Sequence, residues 1–313
     1  MITVRNLTRK YGAFTAVNSV SFEIPKGQIV GLLGHNGAGK TTTLKMLTGY
    51  LEPSSGEVII DGIDIAADPL AIQKKIGYLS EQSPLYPEMT VWQYLYYVAE
   101  MRGIEPEEIP GAVRDAILAT DLVPKAQECI TTLSRGYQQR VGVAQAIIHK
   151  PEILVLDEPT NGLDPTQIVA MRQLILNLAK RATVILSTHI LQEVAAICDR
   201  VIIILNGRKA VDGSLAELQK DNSIGLALRE GQEQVRSLLA GVQGVKTVET
   251  LSSQAGISNY SVKIDGNFES IAPAIAKKIV GQGWDLYRLH AESRDLETIF
   301  NEINRGVKGV NHV

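Results

Sequence analysis

Gly34-His35-Asn36-Gly37-Ala38-Gly39-Lys40-Thr41 holds a glycine, four residues, Gly-Lys and then a hydroxyl side chain. In this pattern successive backbone N–H groups turn inward around phosphates, and glycine is needed because a side chain would block that approach. Gln28-Ile29-Val30-Gly31-Leu32-Leu33 ahead of it is short, apolar and partly β-branched, the composition of a buried strand. Lys40 to Thr48 behind it reads as a helix ending at Gly49. The helix N-terminus then points its dipole at the phosphates. Lys40 is placed to act as a point charge on the β and γ phosphates, and Thr41 offers a hydroxyl to Mg²⁺.

Two further segments supply what this cradle lacks. Ile153 to Leu156 is a four-residue apolar strand that delivers Asp157 and Glu158 at its carboxyl end, where α/β sheets open their ligand crevice. Asp157 suits Mg²⁺, which takes hard oxygen ligands. Glu158, on the other side of the strand's pleat, faces the γ-phosphate and orients or deprotonates a water. His189, in Leu186-Ser187-Thr188-His189 after the apolar run Thr183 to Leu186, ends another strand and is read as a γ-phosphate contact. Leu133-Ser134-Arg135-Gly136-Tyr137-Gln138 is the third segment, and the three make sense together only around one nucleotide.

These residues resemble the nucleotide-binding subunit of an ABC transporter over about residues 1–215, with five motifs in the family's order. The resemblance implies ATP as substrate, Mg²⁺ as its metal, and an α/β P-loop NTPase fold with an antiparallel β part and a helical subdomain. Tyr11 matches the aromatic that stacks on adenine. Gly34, Asn36, Gly37, Ala38, Gly39, Lys40, Thr41 and Thr42 match the phosphate loop. Ser134 and Gly136 match the signature that meets the γ-phosphate of the opposite subunit, and Asn161-Gly162-Leu163-Asp164 matches the loop at the dimer interface, with Asp164 counted among the nucleotide-site residues. Asp157 and Glu158 match the metal-holding and catalytic carboxylates, and His189 the switch histidine. The signature departs from Leu-Ser-Gly-Gly-Gln, because Arg135 replaces the first Gly and Tyr137 the Gln. In Gly77-Tyr78-Leu79-Ser80-Glu81-Gln82, Glu81 stands where the family holds Gln, with Gln82 next to it, and either reaches a metal-bound water.

The resemblance further implies a second ATPase subunit, a homodimer by default, and separate integral membrane permease subunits. It points to exporters of the multidrug and gliding-motility type, with this chain peripheral on the cytoplasmic face of the membrane. Non-transport relatives that act on ribosomes or DNA join two nucleotide domains in one chain or insert coiled coils or Cys-rich modules, and the sequence has none of these. A P-loop kinase has no use for the Ser134-Gly136 segment.

The rest of the chain agrees. Its 313 residues suffice for one large domain and a small one. A net charge of −3 and no Lys/Arg-rich block argue against nucleic acid as a partner. Cys129 and Cys198, far apart and without metal-type neighbours, read as reduced thiols of a cytoplasmic protein. No apolar run reaches the ~18 residues of a membrane span. Met1-Ile2-Thr3-Val4 starts a strand at once, so no signal peptide is expected.

The nucleotide-binding domain is expected over 1–218, with its helical subdomain over about 84–150. Within it Thr90-Val91-Trp92-Gln93 is a capping box opening a helix to about Arg102, Ser134 caps a helix to His149-Lys150, and Asp164-Pro165 opens one to about Lys180. Trp92, Tyr94, Tyr96 and Tyr97 crowd one short helix, either as packing or as the socket for a membrane subunit. A small C-terminal α+β domain is expected over 222–305, in the order strand, helix, strand, strand, helix, strand of a ferredoxin-like layer. Its strands read as Ile224 to Arg229, Val245 to Leu251, Tyr260 to Ile264 and Trp284 to His290. Leu296 to Ile303 resembles the closing helix of ATPases from such exporters, and 306–313 reads as a flexible tail.

Overall fold

The strands Ile29–Leu33, Ile76–Leu79, Ile153–Asp157 and Thr183–Thr188 are buried along their whole length, as strands of a parallel sheet covered on both sides must be. In the computed structural model, which describes residues 1–254 and 256–308, they lie in a six-stranded sheet. Its order is Arg208–Ser214, Arg200–Leu205, Ile29–Leu33, Thr183–Thr188, Ile153–Asp157, Ile76–Leu79. Every neighbouring pair is parallel except the first, which is antiparallel. Register pairs Leu33 with Thr188, Asp157 with Ser187 and Leu79 with Leu156, so four strands end along one edge. The segments that follow, beginning at Gly34, Ser80, Glu158 and His189, are delivered there together.

A second, antiparallel sheet runs Phe14–Ile24, Ile2–Tyr11, Ser55–Ile60, Ile63–Asp64. One core joins both sheets to the helix Lys40–Leu47: Leu7, Val20 and Val58 from the antiparallel sheet, Leu44 and Met46 from the helix, Leu32, Val155 and Ile202 from the parallel one. Each such side chain contributes about 1.5–3 kcal/mol on burial. Eight residues are too few for a stable isolated helix, so this packing holds the helix behind the phosphate loop.

The helical subdomain has its own core, including Val91, Leu95, Val113, Ile117, Val141 and Ala144, from helices Val91–Met101, Ile109–Ala119 and Arg135–Ile147. The Thr90 box forms, with Gln93 N–H donating to Thr90 Oγ1 at 3.2 Å and Thr90 N–H to Gln93 Oε1 at 3.0 Å. Ser134 differs from expectation: it takes the extended N-cap backbone, but its hydroxyl makes no capping bond. Of the four aromatics, Tyr94 is buried in the core, and Trp92 and Tyr96 pack against it. Tyr97 meets the Tyr86 ring edge-on at 5.7 Å.

The helix Arg135–Ile147 is fastened to the strand Ile76–Leu79. A Cβ on Gly77 would stand 2.0 Å from the Ala146 carbonyl oxygen, and Gln145 Nε2 donates to the Tyr78 carbonyl at 2.9 Å. Gly77 is therefore glycine because a helix backbone occupies the space of its side chain.

The chain divides into two units, Met1–Leu215 and Ala216–Val313. The second holds strands Lys220–Leu228, Val245–Gln254, Ile257–Ile264 and Arg288–Ser293 and helices Gln232–Leu239, Phe268–Gly281 and Leu296–Lys308. Its sheet order places Val245–Gln254 beside Ile257–Ile264, then Lys220–Leu228, then Arg288–Ser293, every neighbour antiparallel, which is the split βαβ layer. The last strand starts at Arg288 rather than Trp284, because Trp284 N–H still closes the preceding helix on the Ile279 carbonyl at 3.2 Å. Of the expected tail, 306–308 belong to the last helix and 309–313 lie outside the described residues.

His149 Nε2 stands 3.1 Å from the Ile76 carbonyl, which can only accept, so Nε2 carries the proton and donates it. Burial, then the nearby Arg102 charge, holds the ring's pKa down at about 4. The unfolded chain binds this proton from about pH 6.5 downward and the folded one only near 4, so stability is lost as pH falls through that window. His149→Gln is expected to flatten the thermal midpoint between pH 6.5 and 4 relative to wild type, read by differential scanning calorimetry.

Candidate functional site

The phosphate loop is wedged into place by backbone. Gly39 caps the helix Lys40–Leu47 in a left-handed conformation, φ 105°, and a Cβ there would stand 2.6 Å from the Ala16 carbonyl oxygen. At Gly34 it would stand 2.4 Å from the Ile204 carbonyl oxygen. Ala38 is buried, with its carbonyl accepting from Gly207 N–H at 3.0 Å, while Asn36 and Gly37 are exposed at the mouth. Lys40 is only 6% exposed, and its Nζ donates to the Gly34 carbonyl at 2.8 Å. Thr42 is half-buried on the next position of the helix.

The strand Ile153–Asp157, second along the sheet from Ile29–Leu33, brings both carboxylates to this loop, and the strand between them, Thr183–Thr188, brings Ser187 and His189. Thr41 Oγ1 donates to Asp157 Oδ1 at 3.1 Å, and Ser187 Oγ donates to the same oxygen at 2.5 Å. Glu158 Oε1 lies 3.3 Å from Lys40 Nζ, and Glu158 Oε2 lies 2.9 Å from His189 Nδ1. Glu158 does not face the site by pleat alternation, as its sequence position suggests. The strand ends at Asp157, and Glu158 adopts a left-handed backbone, φ 50°, that turns its side chain toward Lys40. For a non-glycine residue that conformation is costly and persists only where the surroundings impose it. Here Glu158 N–H donates to Ser187 Oγ at 3.0 Å and to the Ser187 carbonyl at 3.2 Å.

Burial pushes the Asp157 carboxyl above its usual range, opposed by the hydrogen bonds from Ser187 and Thr41. Its Oδ2 is buried and has no hydrogen-bond partner among the described residues. A carboxylate oxygen in that condition, beside a threonine hydroxyl, fits a hard divalent cation such as Mg²⁺.

Three residues that sequence reasoning left without a role support these groups. Ser187 ties the two carboxylates. Thr188 Oγ1 accepts the Ile190 N–H at 3.0 Å and donates to Glu193 Oε2 at 3.0 Å, fixing the backbone on either side of His189. Glu193 is only 2% exposed. Their only sequence signal was proximity to His189 in Leu186-Ser187-Thr188-His189.

The other candidate residues stand apart from this cluster. Tyr11 is half-exposed at the end of its strand, with the Arg9 guanidinium 4.8 Å from its ring centre. Glu81 and Gln82 are exposed after the strand Ile76–Leu79, and neither side chain hydrogen-bonds to Thr41 or Asp157. Asp164 Oδ1 accepts Gln167 N–H at 2.9 Å, so its carboxylate caps the helix Pro165–Ala179. Ser134 is exposed, and Gly136 is buried against the Gln167 side chain.

A glycine cradle between a parallel strand and a helix, with two carboxylates at the end of the strand two places along the same sheet, defines a P-loop nucleotide-binding protein. Residues 17–161 match the family described as ABC transporter. The ABC transporter ATP-binding protein NatA of Bacillus subtilis is 37% identical over 224 residues, 70% of this chain and 91% of that one. The bacitracin transport ATP-binding protein BcrA of Bacillus licheniformis is 31% identical over 98% of both chains. A dimeric ATP-binding cassette solved in a post-hydrolysis state with ADP and Pi superimposes with a TM-score of 0.62 at 28% identity, covering 69% of this chain and 99% of that one. The chain belongs to the ATP-binding proteins of ABC transporters, and it is the ATP-binding and ATP-hydrolysing subunit. Among the described residues no helix is long and apolar enough to cross a membrane.

Ser187→Ala removes the donor to Asp157 Oδ1 and one acceptor of Glu158 N–H. Asp157 Oδ1 keeps the Thr41 hydroxyl and Glu158 N–H keeps the Ser187 carbonyl, so the cost is that of the two lost hydrogen bonds, about 0.5–1.5 kcal/mol each, to be seen as a lower urea midpoint, while Ser187→Thr keeps the hydroxyl and recovers most of it.

Proposed function

We propose that two copies of this chain close around two ATP molecules, and that the closure drives export through separate membrane subunits. Glu158 is the reading's centre. Its carboxylate bridges Lys40 and His189 at 3.3 and 2.9 Å, which places a proton acceptor beside the ammonium that would hold the γ-phosphate.

The phosphate loop amides and Lys40 bind the triphosphate, with Thr42 beside Thr41 at the helix start and Asn36 and Ala38 shaping the loop. Tyr11 stacks on adenine through its exposed face. Glu158 orients the attacking water and accepts its proton as oxygen bonds to the γ-phosphorus and the bond to the leaving ADP oxygen breaks. His189 holds Glu158 Oε2 and steadies the carboxylate. Thr41 and Asp157 would hold Mg²⁺, with Glu81 or Gln82 reaching its water shell, and the cation when bound would neutralise charge on the phosphate oxygens.

Ser134 and Gly136 complete the site of the opposing protomer. The dimeric form of the related cassette and the uncapped, exposed Ser134 hydroxyl support this. The relationship to bacitracin transport ATP-binding proteins supports export, with permease partners at the cytoplasmic face of a membrane.

Glu158→Gln is expected to lower ATP turnover by about 10²–10⁴-fold and to accumulate an ATP-bound dimer in size-exclusion chromatography; turnover at the wild-type rate refutes Glu158 as the base. Ser134→Arg should leave ATP binding by the monomer nearly intact and abolish the dimer, and loss of monomer binding would contradict the shared site.

A further inference from the structure

Arg135 stands between Ser134 and Gly136, exposed, as the first residue of the helix Arg135–Ile147. It is not among the residues with positive φ, so its backbone accepts arginine without strain. Its guanidinium covers Gly162. A Cβ on Gly162 would stand 2.4 Å from Cζ, 2.6 Å from Nη1 and 2.7 Å from Nε of Arg135. Three atoms of the planar head occupy the space of one side chain, so the head lies across the glycine instead of grazing it. The neighbouring signature residue makes a second such contact. A Cβ on Gly136 would stand 2.6 Å from Cδ of Gln167. The Gln167 amide is itself held, because Oε1 accepts Asp164 N–H at 3.4 Å while Gln167 N–H donates to Asp164. Two consecutive signature residues are thus seated on one segment, 162–167, that begins four residues after Glu158.

We propose that Arg135 is a positioning residue that clasps the loop 161–164 through Gly162, so that the signature and the segment following Glu158 hold one placement within a protomer. This rests on the reading in which Ser134 and Gly136 serve the partner's nucleotide while Glu158 serves its own. The clasp then ties the two sites: what seats the signature on the partner's phosphate also sets the loop behind Glu158. The far end of the helix is already fastened at Gly77 and Gln145, so its first turn is where such a tie acts. Glycine at 162 is part of the device. Gly162 has φ 74°, so alanine there adds backbone strain of its own, and its methyl group must also displace the guanidinium, the exposed end of a flexible side chain; the strain is the same with arginine or alanine at 135, so only the clasp appears as coupling between the two changes.

The test is a double-mutant cycle of Arg135→Ala and Gly162→Ala, reading kcat, KM for ATP and the Hill coefficient, with fluorescent-ATP binding to each monomer as the check on folding. Each single change is expected to lower kcat by about three- to tenfold and bring the Hill coefficient toward one, with KM nearly unchanged. The double variant should be no worse than the worse single one. Effects that multiply would overturn the clasp, since Gly162→Ala would then act through its own backbone. A loss near 10³-fold in Arg135→Ala with little effect of Gly162→Ala would overturn it too, marking a direct phosphate contact. A wild-type chain that turns over ATP as a strict monomer refutes the shared-site reading beneath it. Cooperative wild-type turnover with multiplying variants refutes the clasp alone.

Discussion

The Ser187 hydroxyl joins Asp157 and Glu158, the two carboxylates of the proposed mechanism. It donates to Asp157 Oδ1 and accepts Glu158 N–H, and it does so because parallel register sets Ser187 opposite Asp157. One strand slip would remove it from both partners. The hydroxyl is suited to the place because it donates and accepts at once, keeping Asp157 engaged while it holds the next residue in a conformation that residue would otherwise leave. The left-handed turn at Glu158 is thus sustained by the sheet, and the sheet by a core that also carries the phosphate loop and its helix.

The same logic of rigid attachment extends to the helix Arg135–Ile147. It meets the sheet through glycines at close-packed points and through Gln145, on the strand next to the one that bears Asp157. Small residues allow backbones to approach, and close approach leaves little room for sliding. The signature residues at the helix start are therefore referenced to the sheet edge at one end and to the loop after Glu158 at the other.

The phosphate loop, both carboxylates, the capping box at Thr90 and the cap at Asp164 were legible in the sequence, because each is a local pattern with a local physical cause. What was not legible was tertiary. The pleat argument for Glu158 fails because the strand stops one residue earlier, and nothing in Asp-Glu-Pro announces a positive φ. The helix Ile109–Ala119 was not read within the helical subdomain, although Pro110 stands in its first turn, where its missing N–H costs nothing. The edge strand Arg208–Ser214 has no buried face to impose alternation. Glu193 became visible only once Thr188 was placed against it.

In the proposed mechanism the buried Lys40–Glu158 pair ties binding to chemistry. Both residues are 6% exposed, so each is a charge removed from water, and removing one partner of such a pair costs about 3–5 kcal/mol because the other is left uncompensated. A γ-phosphate that reaches Lys40 offers it a second anion and thereby loosens its hold on Glu158. The carboxylate then keeps His189 as its partner, 2.9 Å away, and its other oxygen is released toward water. With Glu158 as the proposed base, binding of the triphosphate and freeing of that base would be the same event, tying the readiness to hydrolyse to the presence of the phosphate to be cleaved.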